Sequence, residues 1–380
     1  MPKFRVLVTG GGTGGHIYPL VAVVSELQIL ASTMRIDAEI RYLGSFGPYR
    51  DLLRDNDIKA QGIVESKLRR YFSLENFIDG PKFIVGFLQA LSRLFWFMPD
   101  AVFSKGGPGA MAVVLAARFY GIPVIIHESD AIPGTTNLIC GRFAKIVTVA
   151  FSGAAKYFPG KEVIVVGNPI RRYLFSDVIT PKKAKGFLEF NPELPLMLVL
   201  GGSQGAVRLN EFILDNLPDL LNVTQIFHQT GKKNYQPVVN EVDFVLSKLP
   251  EETIKRYRPI DYFEKDIRTA LMAADVVLSR AGAGGIFETA AFGKPSILIP
   301  LPEAASGHQA ANAYDYAASG AAIVIEESNL TPELLLHELK GLLGNQNRLS
   351  EMSQAAIAFS KPDSASNLAK IILKLGGYAS

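Results

Sequence analysis

Phe4-Arg5-Val6-Leu7-Val8-Thr9-Gly10-Gly11-Gly12-Thr13-Gly14-Gly15-His16 sets the reading of the whole chain. Four β-formers and one arginine, Phe4 to Val8, run straight into a glycine-rich turn, Thr9 to Gly15, and a helix opens at His16. Glycine admits φ > 0 and has no Cβ, so amides at the helix start can crowd around a bound anion. The turn therefore reads as a phosphate or diphosphate cradle. Gly10, Gly12 and Gly15 also fit the dinucleotide spacing, which many α/β proteins carry for packing alone. A nicotinamide site would add an acid at the end of the next strand, about 20 residues past the glycines. That strand, Ala38 to Leu43, ends in Gly44-Ser45, with Asp37 and Glu39 at its beginning. The dehydrogenase reading fails there.

Further along, the same grammar recurs. Leu196 to Leu200 is an apolar strand feeding Gly201-Gly202-Ser203-Gln204-Gly205 and a helix from Ala206. Ala274-Asp275-Val276-Val277-Leu278-Ser279-Arg280-Ala281-Gly282 mirrors Pro99-Asp100-Ala101-Val102-Phe103-Ser104-Lys105-Gly106-Gly107. Each is followed by an alanine-rich helix, then Gly121-Ile122-Pro123 or Gly293-Lys294-Pro295, then a buried strand. The restart follows Asn168-Pro169, a turn signal. The fold class expected is α/β, two Rossmann-like doubly wound domains facing across a cleft, with ligand at the carboxyl ends of the strands. Residues 1–168 form the first domain and 169–360 the second; the amphipathic helix in 361–380 returns to the first.

At 380 residues, 48% hydrophobic and 20% charged, the chain suits two cores. A net charge of +3 makes no case for nucleic acid. Cys140 is the sole cysteine, which points to a reducing compartment and a packing role. The N-terminal apolar run is too short for a signal peptide, and Phe83 to Met98, the most apolar window, is too short and too interrupted to span a bilayer. The 68–98 segment interleaves Tyr71, Phe72, Phe77, Phe83, Phe87, Phe95, Trp96 and Phe97 with basic residues. A helix from Lys82 to Phe97 would carry a narrow polar stripe of Lys82, Gln89 and Arg93. Two readings stand: a helix buried on the sheet, or a monotopic anchor on lipid headgroups.

In the second half Gly202, Ser203 and Gly205 make another anion site, and Arg171 adds charge-assisted contacts to a diphosphate. Gly282 to Gly285 permits close backbone approach, and Glu288, read at a helix start, is an acceptor for ribose hydroxyls or an ordinary acid on the helix dipole. Ser306-Gly307-His308-Gln309 sets polar groups at another strand-to-helix corner, where a sugar's hydroxyls would be held. No Cys/His cluster or Asp-x-Asp strand end calls for a metal, and no cofactor is required.

These motifs together resemble the MurG family of peptidoglycan glycosyltransferases. The resemblance is carried by Gly11 to His16, His127-Glu128-Ser129 with Pro133-Gly134 and Asn137, Val166 to Arg171, Gly201 to Ala206, and His308 to Ala313. It implies a GT-B fold and inverting transfer of N-acetylglucosamine from UDP-N-acetylglucosamine to the undecaprenyl-diphosphate-linked muramoyl-pentapeptide. It also implies a peripheral enzyme on the cytoplasmic face of the inner membrane, docked through the 68–98 segment. Substrate contacts are expected at Thr13, Gly14, Gly15, Asn137, Arg171, Ser203, Gln204, Glu264, Ala283, Gly284, Gly285, Ile286, Phe287, Glu288, His308 and Gln309. His16 is expected as the base or a key positioning group, its cation disfavoured by the helix dipole; Asp130 shares the base role or repels the donor diphosphate. Two stretches depart from the family. Glu128-Ser129-Asp130 replaces Glu-x-Asn, and Gly106-Gly107-Pro108-Gly109-Ala110-Met111-Ala112 lacks the Tyr, Ser and closing Pro of its second glycine loop. The alternatives are a UDP-sugar transferase using another lipid acceptor and a non-catalytic UDP-binding scaffold at the membrane.

Overall fold

The computed structural model describes residues 2–66, 75–175, 179–202, 206–247, 249–263, 266–304 and 307–378, with the backbone alone for 75–78. The chain divides into two compact units, Met1–Arg172 with Lys361–Ser380, and Tyr173–Ser360. The division falls after Arg172 rather than after Asn168, so Arg171 belongs to the first unit.

In the first unit seven parallel strands lie in the order β3-β2-β1-β4-β5-β6-β7. They are β1 (Lys3–Thr9), β2 (Asp37–Leu43), β3 (Lys59–Gln61), β4 (Ala101–Ser104), β5 (Val124–Glu128), β6 (Ile146–Val149) and β7 (Val163–Val165). A parallel sheet is covered on both faces, and β1 alternates accordingly. Phe4, Val6 and Val8 enter the core beneath the helices Gly14–Thr33 and Ser364–Leu375, while Leu7 enters the opposite core. Each fully buried side chain of this size contributes about 1.5–3 kcal/mol. The last helix is tied down by Ser364 Oγ donating to Gly167 O at 2.9 Å and Tyr378 Oη to Lys3 O at 2.8 Å.

The second unit has six parallel strands in the order β10-β9-β8-β11-β12-β13. These are β8 (Leu196–Leu200), β9 (Gln225–Gln229), β10 (Tyr257–Ile260), β11 (Val276–Ser279), β12 (Ser296–Leu298) and β13 (Ala322–Val324). Without β7, the two sheets share one order. The repeat extends to hydrogen bonds: Arg5 N donates to Asp100 Oδ2 at 2.7 Å, and Leu196 N to Asp275 Oδ2 at 2.8 Å. In both units the strand order reverses beside the first strand, opening a crevice at the carboxyl ends of β1 and β4, and of β8 and β11.

Two helices differ from their sequence readings. The first opens at Gly14, not His16, and is long and apolar enough to cross a membrane by length and composition. Its Ile17, Leu20, Val23, Val24 and Leu27 are fully buried, and it is a core helix. The aromatic helix runs Glu75–Phe97, beginning well before Lys82. Its Ala90, Leu94 and Phe97 face the core. The expected polar stripe serves the preceding chain, because Gln89 Oε1 accepts from Val64 N and Arg93 Nη1 donates to Gly62 O. Most of what remains in solvent is apolar, Ile84, Val85, Leu88, Phe95 and Trp96, the last 81% exposed, with Lys82 and Ser92 beside them.

Candidate active site

At the first crevice two glycine loops interlock. A Cβ on Gly107 would lie 2.8 Å from Gly11 N and 3.1 Å from His16 Nε2, and Gly107 has φ +86°. Glycine is required there on both counts. A side chain there would press on the imidazole edge at Nε2. His16 and Ile17 N both donate to Thr13 O at 3.0 Å, so the Gly14 and Gly15 amides remain as helix-start donors, with open space on the side where Gly15 lacks a Cβ. Thr13 does not cap this helix; its Oγ1 lies 2.8 Å from His16 Nδ1. When Nδ1 carries the hydrogen and donates to that oxygen, Nε2 is the basic nitrogen.

The end of β2 is filled by protein. Tyr42 Oη donates to Gly10 O at 2.7 Å, and a Cβ on Gly12 would lie 2.8 Å from Gly47 N. The loop Gly44 to Gly47 thus packs where a dinucleotide's ribose would need an acid and space.

Behind the loops lies a buried polar cluster. Lys105, 2% exposed, donates through Nζ to Ser129 Oγ and to Asn168 Oδ1, the latter at 3.5 Å; Ser129 Oγ donates to the same oxygen at 3.0 Å. Glu128 holds the following loop together. Its Oε1 accepts from Asp130 N at 2.9 Å, and its Oε2 accepts from Gly134 N at 3.1 Å and Asn137 Nδ2 at 2.9 Å. Asn137 is 5% exposed and also donates to His127 O, so it organises the loop beside Gly106. Arg171 lies over the Tyr18 ring, 4.9 Å from its centroid.

These neighbours set the protonation states. Burial is the main cause that lowers His16 from 6.5 to about 4; Lys105 adds to it and Asp130 opposes it. Burial also brings Lys105 down to about 7 against the pull of Glu128 and Asp130. Glu128 is raised by burial and then by Asp130, against its backbone and Asn137 hydrogen bonds.

In the second unit Gly282 precedes the helix Ala283–Ala291, and nothing lies within 4 Å of where a Cβ on Gly282, Gly284 or Gly285 would stand. This helix start is open to an anion or a ribose. Two sequence readings change. Glu288 sits in the second turn rather than at the start; and Ile286 and Phe287, each 1% exposed, point into the core, leaving only their backbone for a ligand. His308 opens the helix His308–Ala317 after Gly307, at φ +67°. Gln309 Oε1 accepts from Leu301 N at 3.0 Å, bracing the preceding loop. Arg280 donates to Ile299 O at 3.2 Å and is ion-paired to Glu327, which Arg208 also contacts at 2.6 Å. Ser203, Gln204 and Glu264 lie outside the described residues.

Sequence reasoning passed over Lys105, Glu128 and Asn168 as site residues. A signal for Lys105 was present: a cation closes the same strand step in both halves, Lys105 after β4 and Arg280 after β11.

Comparison with known proteins agrees with this architecture. The glycosyltransferase family 28 N-terminal domain matches residues 6–149, and the family 28 C-terminal domain matches 196–368. Relatives named UDP-N-acetylglucosamine--N-acetylmuramyl-(pentapeptide) pyrophosphoryl-undecaprenol N-acetylglucosamine transferase include that of Lachnoclostridium phytofermentans. It is 38% identical over 351 residues, covering 91% of this chain and 93% of the relative. The Desulforamulus reducens protein of the same name is 35% identical with 98% of each chain covered. The crystal structure of Acinetobacter baumannii MurG matches with a TM-score of 0.76 and 30% identity over 98% of this chain and 99% of that one. The UDP-GlcNAc 2-epimerase of Neisseria meningitidis, at 15% identity and a TM-score of 0.68 over 98% and 100% of the two chains, shares the fold alone. With two parallel-sheet domains of the GT-B class, both family 28 domains in order, and relatives this similar over nearly its whole length, the chain belongs to the MurG family of glycosyltransferases.

Proposed function

We propose that this chain moves N-acetylglucosamine from UDP-N-acetylglucosamine to undecaprenyl-diphosphate-linked muramoyl-pentapeptide, with inversion. Family membership supports the donor and acceptor. The observation that carries the chemistry is His16, neutral near pH 7 with Nδ1 beside Thr13 and Nε2 beneath the side-chain-free Gly107. The acceptor hydroxyl oxygen attacks the anomeric carbon, its proton passes to Nε2, and the bond from that carbon to the diphosphate oxygen breaks to release UDP. Donor contacts fall to the open helix start Gly282 to Gly285, to Glu288 and to His308 and Gln309; family resemblance adds Ser203, Gln204 and Glu264. The Gly14 and Gly15 amides and Arg171 serve the first unit's anion site. Asp130 works as the charge facing His16.

The test is transfer of radiolabelled sugar from UDP-N-acetylglucosamine to a muramoyl-pentapeptide diphospholipid, with UDP release followed in parallel. Transfer is the expected result. UDP release coupled to a different lipid, and none to this one, would move the acceptor to another class; the loop Gly106 to Gly109 beside His16, where the chain departs from its family, would be the first place to look.

The membrane reading rests on the apolar outer face of the helix Glu75–Phe97, joined by Phe119, 69% exposed. Ile84, Val85, Leu88, Phe95 and Trp96 would sit among headgroups, with Lys82 alongside, on the cytoplasmic leaflet. Replacing Leu88 and Trp96 together by serine is expected to lower partition onto phosphatidylglycerol vesicles about tenfold, with Tm unchanged. Equal partition of the variant and the parent removes this face from the account.

A further inference from the structure

The repeat that builds the two units also puts one cation at the same step of each, and the two are treated differently. Arg280 follows β11 and meets Glu327; their side chains are 9% and 12% exposed. Its charge is cancelled by a carboxylate. Lys105 follows β4 and is buried as deeply, yet among the described residues no carboxylate lies within ion-pair distance of it; its two acceptors are a hydroxyl and an amide oxygen. An ammonium held by neutral groups in a low-dielectric interior keeps its field, and that field acts on whatever titrates nearby. One such group is His16: a Cβ on Gly10 would stand 3.5 Å from Lys105 Cβ and 3.6 Å from His16 Cβ, so the two side chains leave adjoining positions.

We propose that Lys105 is a positioning residue for the transfer: pinned by Ser129 and Asn168, its ammonium opposes the charge of Asp130 at His16 and keeps the imidazole in its proton-accepting form. Asn168 comes from the chain between the units' sheets and Ser129 from the loop after β5, so three separate segments aim one charge. The other ionisable groups bearing on this cluster are Glu128 and Asp130, which favour the ammonium, and His127, whose proton affinity Lys105 lowers. Asp130, in the loop after β5, is the carboxylate that raises the proton affinity of His16, and Lys105 is the cation that opposes it. The inference rests on His16 as the base, and its consequence is a sign. Losing the Lys105 charge raises the pH at which His16 takes up a proton, so activity is lost from the acid side.

The experiment follows His16 directly, by the ring 13Cε1 chemical shift in protein labelled at its histidines and assigned with His16→Gln, beside the pH dependence of kcat/KM. The parent His16 is expected to titrate near 4. Lys105→Met should raise that midpoint by about one unit or more, move the acid limb of kcat/KM by the same amount and leave KM for UDP-N-acetylglucosamine unchanged. Lys105→Arg should restore most of the shift. Ser129→Ala, which loosens the ammonium without removing it, should move His16 less and in the same direction, and serves if Lys105→Met does not fold. An unmoved His16 midpoint in the soluble variants, or a loss confined to the acceptor KM, overturns the proposal. A midpoint that moves in a protein whose His16→Ala variant is fully active would instead leave the Lys105 coupling intact and remove the base role on which its importance for transfer depends.

Discussion

His16→Ala is expected to lower kcat about a hundred- to ten-thousandfold, with UDP still bound by the second unit. The size follows from what a positioned base contributes to proton transfer in the transition state. The direction of the split follows from geometry. His16 stands at the crevice of the first unit, with Nδ1 committed to Thr13 and Nε2 beside Gly107, whereas the open helix start read as the donor site belongs to the second. Loss should therefore fall on kcat rather than on donor KM. His16→Gln keeps a hydrogen-bonding group without a basic nitrogen and should be nearly as impaired. Steady-state kinetics with UDP affinity measured by calorimetry decides the matter: near-normal turnover in His16→Ala would sink the base assignment. Asp130→Asn separates that residue's two readings. A gain in activity fits a charge that repels the donor diphosphate, and a loss of several orders of magnitude fits a second base.

Glu128→Gln is the second large effect, because an amide cannot do what this carboxylate does. Oε1 accepts one N–H and Oε2 accepts two, from Asp130, Gly134 and Asn137. All three partners are donors. Whichever way a glutamine turns, its NH2 group faces a donor, and at least one buried N–H loses its partner at about 1–3 kcal/mol. The loop from Ser129 to Gly134 carries Ser129 and Asp130, so its loosening should reach Lys105 and His16 as well. We expect a lower Tm together with a kcat/KM reduced at least tenfold, measured by calorimetric unfolding and the transfer assay. An unchanged Tm would mean that the three hydrogen bonds do not order this loop. Acid acts on the same group, since protonation replaces one acceptor position by a donor; Glu128 is raised by burial, so the loop should loosen at a higher pH than an ordinary carboxylate would imply.

Much of this protein was legible before any coordinates. A strand running into glycines is a local pattern, and so is its recurrence from Leu196; each depends only on which residues follow one another. The glycine-rich strand ends, the missing acid after β2, and the order of the motifs sufficed for two α/β domains and the family. The repeat even extended to Asp100 and Asp275, which hold equivalent backbone amides.

The tertiary structure decided what depends on residues distant in sequence. Whether Gln89 and Arg93 form a solvent stripe or bind residues 62–64 is settled by which way the helix rolls on the sheet, and neighbour identity alone cannot supply that. Glu288 shifted from cap to second turn because the helix opens at Ala283, as φ and ψ at Gly282 allow. Lys105 is the clearest case. In the sequence it is one basic residue among 39, and only burial between Ser129 and Asn168 turns it into a charge that bears on His16. Local backbone preference and hydrophobic period are written residue by residue along the chain, so the sequence determined the two folds. Desolvation and electrostatic coupling depend on what surrounds a group in space, so only the folded first unit determined which charges act on His16.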